Sequence, residues 1–171
     1  MPTGLKESSS VVAIGFEVEQ AAANDFAQDA IDLNLSPLDR EVFVVLAINM
    51  DPQAPDAIDG TDTSTETSLT TTQQEDVQNL SNANCLATAR LDIRAGGFAD
   101  SAGVGFSRTG FETPPTNLEY IGIIATNDFF VQIGSRNNAG VKKLSGKLYG
   151  YRAVASADIY AALVQSEVLS A

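Results

Sequence analysis

The sequence predicts an all-β protein: an antiparallel β-sandwich of about eight strands with a short C-terminal helix. Three observations carry this. Residues 11–19 alternate, with Val12, Ile14, Phe16 and Val18 on one face and Ala13, Gly15, Glu17 and Glu19 on the other. Residues 85–95 follow the same rule, Cys85, Ala87, Ala89, Leu91 and Ile93 opposing Thr88, Arg90, Asp92 and Arg94. A period of two buries one face of a strand and turns the other to water or a partner. The third observation is that the crossover helices a parallel sheet needs have no counterpart between these strands.

The elements follow in order. Residues 1–10 read as a polar N-terminal arm ending in Ser8-Ser9-Ser10, and 11–171 as one domain. After the strand at 11–19, Phe26 to Leu35 alternates, with Ile31, Leu33 and Leu35 sharing a face. Ser36-Pro37-Leu38-Asp39 is a turn, because proline fixes φ and cannot donate to a ladder. Glu41 to Met50 is apolar on both faces and reads as a central strand covered on each side. Asp51 to Asp62 is an acidic loop broken by Pro52 and Pro55. Thr63 to Gln74 is threonine-rich and suits an extended, exposed strand. Glu75 to Leu80 reads as one helical turn before the strand at 85–95. A glycine-dotted loop with a short strand follows, stopped by Pro114-Pro115 ahead of a strand at Leu118 to Ala125.

The last third is the most legible. Phe129, Val131 and Ile133 alternate with Gln132 and Gly134, and Arg136-Asn137-Asn138-Ala139-Gly140 is rich in residues that tolerate positive φ. Leu144 to Val154 then reads as the return strand of a hairpin. Ser156 is placed as an N-cap, and Ile159, Tyr160, Leu163, Val164 and Val168 recur at helical spacing. Strands in this number, separated by turns, are the signature of sandwiches, jelly rolls among them.

Composition narrows the function. At 171 residues the chain is long enough to bury a core, and no apolar stretch approaches the roughly 20 residues that span a bilayer. Met1 to Glu7 lacks the basic and apolar regions of a secretory signal. Cys85 is the sole cysteine, so it has no disulfide partner in its own chain, and its inward position makes it a small hydrophobe. The net charge is −12, which repels nucleic acid phosphates and makes direct genome binding a poor fit. Self-repulsion at that charge opposes subunit packing at low salt, whereas molar salt shortens the screening length to about 3 Å. A salt-loving source fits such a surface, as does an ordinary acidic protein.

Catalytic and cofactor chemistry find little to stand on. The chain has no histidine, which excludes Ser-His-Asp and Cys-His arrangements. No Ser-Lys motif is visible, and paired carboxylates for glycoside cleavage arise by chance in an acidic chain. Asp51, Asp56, Asp59 and Asp62 share a loop, but their spacing departs from that of a helix-loop-helix calcium site, so a solvated acidic loop is the better reading. Phe129, Tyr149 and Tyr151 could form a stacking platform, but at strand positions they read as core or interface. No catalytic residue, cofactor or metal is assigned.

Charge distribution says more. Between Arg40 and Arg90 there are no bases but eight acids: Glu41, Asp51, Asp56, Asp59, Asp62, Glu66, Glu75 and Asp76. Five of the ten bases lie in the final hairpin: Arg136, Lys142, Lys143, Lys147 and Arg152. These blocks are expected to face each other across subunit contacts and set their register. The competing reading is a solvated basic edge that deters wrong strand pairing.

The segments Asp128-Phe129-Phe130-Val131-Gln132-Ile133-Gly134, Leu148-Tyr149-Gly150-Tyr151-Arg152-Ala153 and Ala157-Asp158-Ile159-Tyr160-Ala161-Ala162-Leu163 mark the C-terminal third of the chain. In pattern and composition they resemble the small single-jelly-roll major capsid proteins of tailless icosahedral haloarchaeal viruses that enclose a membrane. The resemblance implies an upright single jelly roll, located in the virion, that assembles with copies of itself and a sister capsid protein over a lipid vesicle. The expectation from another class is a β-sandwich carbohydrate-binding or adhesin-type module.

Overall fold

The computed structural model describes residues 2–96, 106–110 and 118–170. Ten strands and one helix occupy them: β1 (Leu5–Glu7), β2 (Val12–Glu19), β3 (Ala27–Asp32), β4 (Glu41–Pro52), β5 (Thr63–Thr70), β6 (Cys85–Arg94), β7 (Phe106–Gly110), β8 (Gly122–Ile124), β9 (Asp128–Arg136), β10 (Lys143–Ala155) and α1 (Ala157–Leu169). The Pro114-Pro115 break and most of the glycine-dotted loop lie outside the described residues.

Every pairing among the described residues is antiparallel, and the pairings are nested. The innermost hairpin is β5–β6; around it β4 pairs with β8, β3 with β9, and β2 with β10. This long folded ribbon wraps so that β10 also pairs with β4 and β9 with β5. The first sheet then runs β2-β10-β4-β8 and the second β3-β9-β5-β6-β7. That order is a jelly roll, with one strand added at the β6 edge. β1 continues the line of β2, pairing Leu5 with Ala155 at the far end of β10.

Alternation builds the core as expected. Phe16, Val18, Phe43, Val45, Leu144 and Leu148 from the first sheet meet Leu69, Phe129, Val131 and Ile133 from the second. Phe16 and Phe129 join the layers edge to face, their centroids 5.9 Å apart. β4 is central, and its first half, residues 42–45, is covered on both sides, whereas Ala47 and Asn49 in its second half are exposed. Phe43 and Val45 enter this core, while Val42 and Val44 enter a second cluster beneath α1 with Tyr151, Ala153, Ile159 and Leu163.

Five expectations need correction. Leu5 of the supposed polar arm is buried in that second cluster, so residues 5–7 belong to the sheet. The threonine-rich strand is buried at the middle of its sheet, because a polar roof covers its outer side. In that roof Ser68 donates to Gln132 at 2.7 Å, Gln132 donates to Thr70 at 2.7 Å and to Gln28 at 2.9 Å, and Gln28 accepts the Gln74 amide at 2.9 Å. Residues 75–80 form no helical turn; the Gln78 amide is tied at 3.0 Å to Ser68 instead. β9 and β10 make no hairpin, since they lie in opposite sheets and their loop crosses the end of the barrel. In α1 the buried position after Val164 is Glu167, and Val168 is exposed.

β10 admits two aromatic rings through glycines. A Cβ on Gly150 would stand 2.3 Å from the Val44 carbonyl oxygen and 2.4 Å from the Phe43 ring. Gly150→Ala should therefore destabilise the fold by about 1–3 kcal/mol through overpacking. Gly140→Ala, with nothing within 4 Å, should leave it unchanged. Urea unfolding of both variants checks this, and equal midpoints would contradict the packing assigned to β10.

Candidate functional site

The barrel is filled by its core, so functional surface is confined to loop ends and outer faces. At one end the β2–β3, β4–β5 and β9–β10 loops meet around Asn138. Its side-chain oxygen accepts the Asp56 amide at 2.7 Å, and its Nδ2 donates to the Ser64 carbonyl at 2.9 Å. Its backbone exchanges hydrogen bonds of 2.7 and 2.9 Å with the Asn24 side chain. Asn24 and Asn137 hold φ of 67° and 57°, the left-handed conformation expected of such turn residues. Asp56 then receives the Ala139 and Gly140 amides at 3.0 and 3.2 Å and the Lys142 ammonium at 2.6 Å. Lys142 is buried, and its backbone amide donates to Gln20 at 2.9 Å.

The two charge blocks thus meet inside one subunit at two points, Asp56 with Lys142 and Glu66 with Arg136, while Arg90 and Arg94 of β6 take further acids of the acidic block. Asp56 pairs with Lys142, and Asp62 with Arg94 at 3.2 Å. Glu66 pairs with Arg90 at 3.1 Å and more loosely with Arg136 at 3.9 Å. Asp62 also accepts the Ala95 and Gly96 amides at 2.9 and 2.7 Å. The carboxylates of the acidic loop accordingly turn to different partners and do not converge; Asp59 stays exposed. Arg152 donates to the Leu33 carbonyl at 2.9 Å at the opposite end of the barrel. Lys143 and Lys147 stand exposed on β10, opposite Glu19 and Gly15 of β2. Phe129 lies in the main core and Tyr151 under α1, so the aromatics form no common platform.

Residues that sequence reasoning did not single out hold the ends together. Glu167 accepts the Ala125 and Thr126 amides at 2.8 and 3.0 Å and thereby pins the end of α1 to the β8–β9 loop. Asn84 reaches the Glu167 carbonyl at 3.2 Å. The only signal for Glu167 was a polar residue on an apolar helical stripe. Burial raises the Glu167 carboxyl above its ordinary value, against the opposing pull of the two amides and the Thr126 hydroxyl. The Lys142 hydrogen bond, reinforced by the Gly140 amide, lowers Asp56. The Gly96 and Ala95 amides, followed by Arg94, lower Asp62.

No family model matches this chain, and no curated protein matches it. Among solved structures, one titled Desmodium yellow mottle tymovirus is similar at 15% identity, covering 91% of this chain and 93% of that one with a TM-score of 0.33. The fold stands on its own strand order.

The two kinds of carboxylate shift predict opposite pH dependences. Asp56 and Asp62 contribute stability that is present above the ordinary carboxylate pKa of 3.8 and lost as pH falls through their lower folded values. Glu167 contributes most when protonated, and its share is lost as pH rises from 4.5 through its raised folded value. Melting temperatures of the wild type and Glu167→Gln across pH 3 to 8 check this. Their difference should drift against the wild type as pH climbs, and parallel curves would contradict it.

Proposed function

We propose that this chain is a capsid subunit, a structural protein that assembles with copies of itself and with related subunits into an icosahedral viral shell. The observation that carries the reading is the full jelly-roll order, β2-β10-β4-β8 against β3-β9-β5-β6, closed over a packed interior. Jelly rolls serve viral capsids, lectins and cupins. The cupin alternative loses ground because the chain has no histidine. A lectin or adhesin-type module would need a sugar site on an outer face, and of the three aromatics named above Phe129 and Tyr151 are spent on core and helix packing, which leaves Tyr149 alone. Shell building uses what the fold leaves open: two loop ends and the parts of the outer sheet faces that neither α1 nor the polar roof covers.

Three finer features belong to the same proposal. The shell is that of a tailless virus with a membrane beneath it, and the chain resides in the virion. The charge of −12 makes assembly favour high salt, where self-repulsion is screened. Lys143 and Lys147 remain contact residues, because both are exposed on an open stretch of sheet.

Light scattering at low and molar salt, over a range of protein concentrations, tests the reading. The mass should rise above the 18.0 kDa monomer with concentration, and more steeply at molar salt. A constant 18.0 kDa under every condition, with saturable binding to glycans, would overturn it in favour of the module.

A further inference from the structure

The outer face of the second sheet bears a concentration of arginines on an otherwise acidic molecule. Strand alternation sets Arg90, Asp92 and Arg94 of β6 on that face, with Glu66 and Ser64 of β5 and Arg136 of β9 beside them in register. Arg108 of β7 occupies the register position opposite Asp92. Arg90, Arg94 and Arg136, three of the six arginines of the sequence, therefore share one sheet face. Asp62, Arg90, Asp92, Arg94, Arg136 and Asn137 border a cleft of about 170 Å³ there.

The acids and bases of this face lie at different depths. Asp92 and Glu66 side chains are 5% and 21% exposed, whereas Arg90, Arg94 and Arg136 are 46%, 44% and 75% exposed. Arg90 places its Nε 2.9 and 3.1 Å from the two Asp92 oxygens, and its other arm grips Glu66. Arg94 is held by Asp62 at 3.2 Å. Asp62, 43% exposed, lies level with Arg94, whereas the sunken Asp92 and Glu66 orient Arg90 and leave its guanidinium outermost, with Arg136 further out still. Each guanidinium carries five donors in a rigid fork, so this small number of contacts leaves donors facing outward, most of all on Arg136. A partner approaching the face meets positioned cations whose ordering cost is already met by the fold.

We infer that this arginine face receives carboxylates of a second copy of the chain. Charge complementarity selects the occupant. With 22 acidic residues against 10 basic ones, another copy carries a large excess of carboxylates, and guanidinium binds carboxylate bidentately. Contacts of this kind, once sheltered in an interface, are screened less than the long-range repulsion that molar salt removes. The inference rests on the self-assembly proposed above and names the surface that performs it.

Zero-length carbodiimide coupling tests it. In Arg136→Lys, an amine replaces the most exposed guanidinium, and a mixture of isotopically light and heavy chains is coupled at molar salt. The expected result is an isopeptide from position 136 to an Asp or Glu of the other isotope. Coupling confined to the chain's own Glu66 would overturn the inference. A paired measurement follows Arg94→Glu with Arg136→Glu by light scattering, where the concentration needed for assembly should rise tenfold or more. Assembly equal to that of the wild type would overturn the arginine face while leaving the shell reading intact. A wild type that never assembles would overturn both. Inorganic phosphate that raises the melting temperature, with no coupling between chains, would mark the cleft as a small-anion site only and also overturn the inference.

Discussion

The arrangement depends above all on β10. This strand of 13 residues is hydrogen-bonded along one edge by β2 and β1 and along the other by β4, so three separate parts of the chain are aligned on it. Its inward side alternates Leu144, Gly146, Leu148 and Gly150, and the two glycines leave room for the rings of Phe16 and Phe43. A step in register between Tyr149 and Gly150 then changes the opposite side. Before it, Lys143, Ser145 and Lys147 face outward without cover; after it, Tyr151 and Ala153 lie beneath α1. One strand therefore divides the first sheet into a helix-covered half and an open half.

The second sheet solves its outer face differently. The β5–β6 connection folds back over it, and small polar side chains with glutamines replace an apolar layer. Such a network is favourable only when its members find partners, since an unpaired buried polar group costs about 1–3 kcal/mol. Ser68, Thr70, Gln132 and Gln28 do find them. Where the roof ends, Glu66 and Asp92 are sheltered by arginine side chains instead. The cationic surface is thus a consequence of how the sheet covers its own carboxylates.

Much of this was legible in the chain and some was not, for physical reasons. The doubly apolar run of β4 announced a central strand, and the alternation in β2, β6 and β9 announced their faces. Thr63 to Thr70 misled because threonine suits exposed and buried strands alike, and its partners Gln28 and Gln132 are remote in sequence. The 136–142 segment misled because a turn-rich loop between two strands looks the same whether they pair or part to opposite sheets. The charge blocks were visible as complementary. Their meeting within one subunit required knowing that β4–β5 and β9–β10 share an end of the barrel.

Cryo-electron microscopy of the purified, concentrated chain in molar salt tests the central claim most directly. The account predicts closed shells or regular capsomer arrays, with adjoining barrels in contact through the arginine face. Isolated barrels alone, at every concentration and salt, would contradict it.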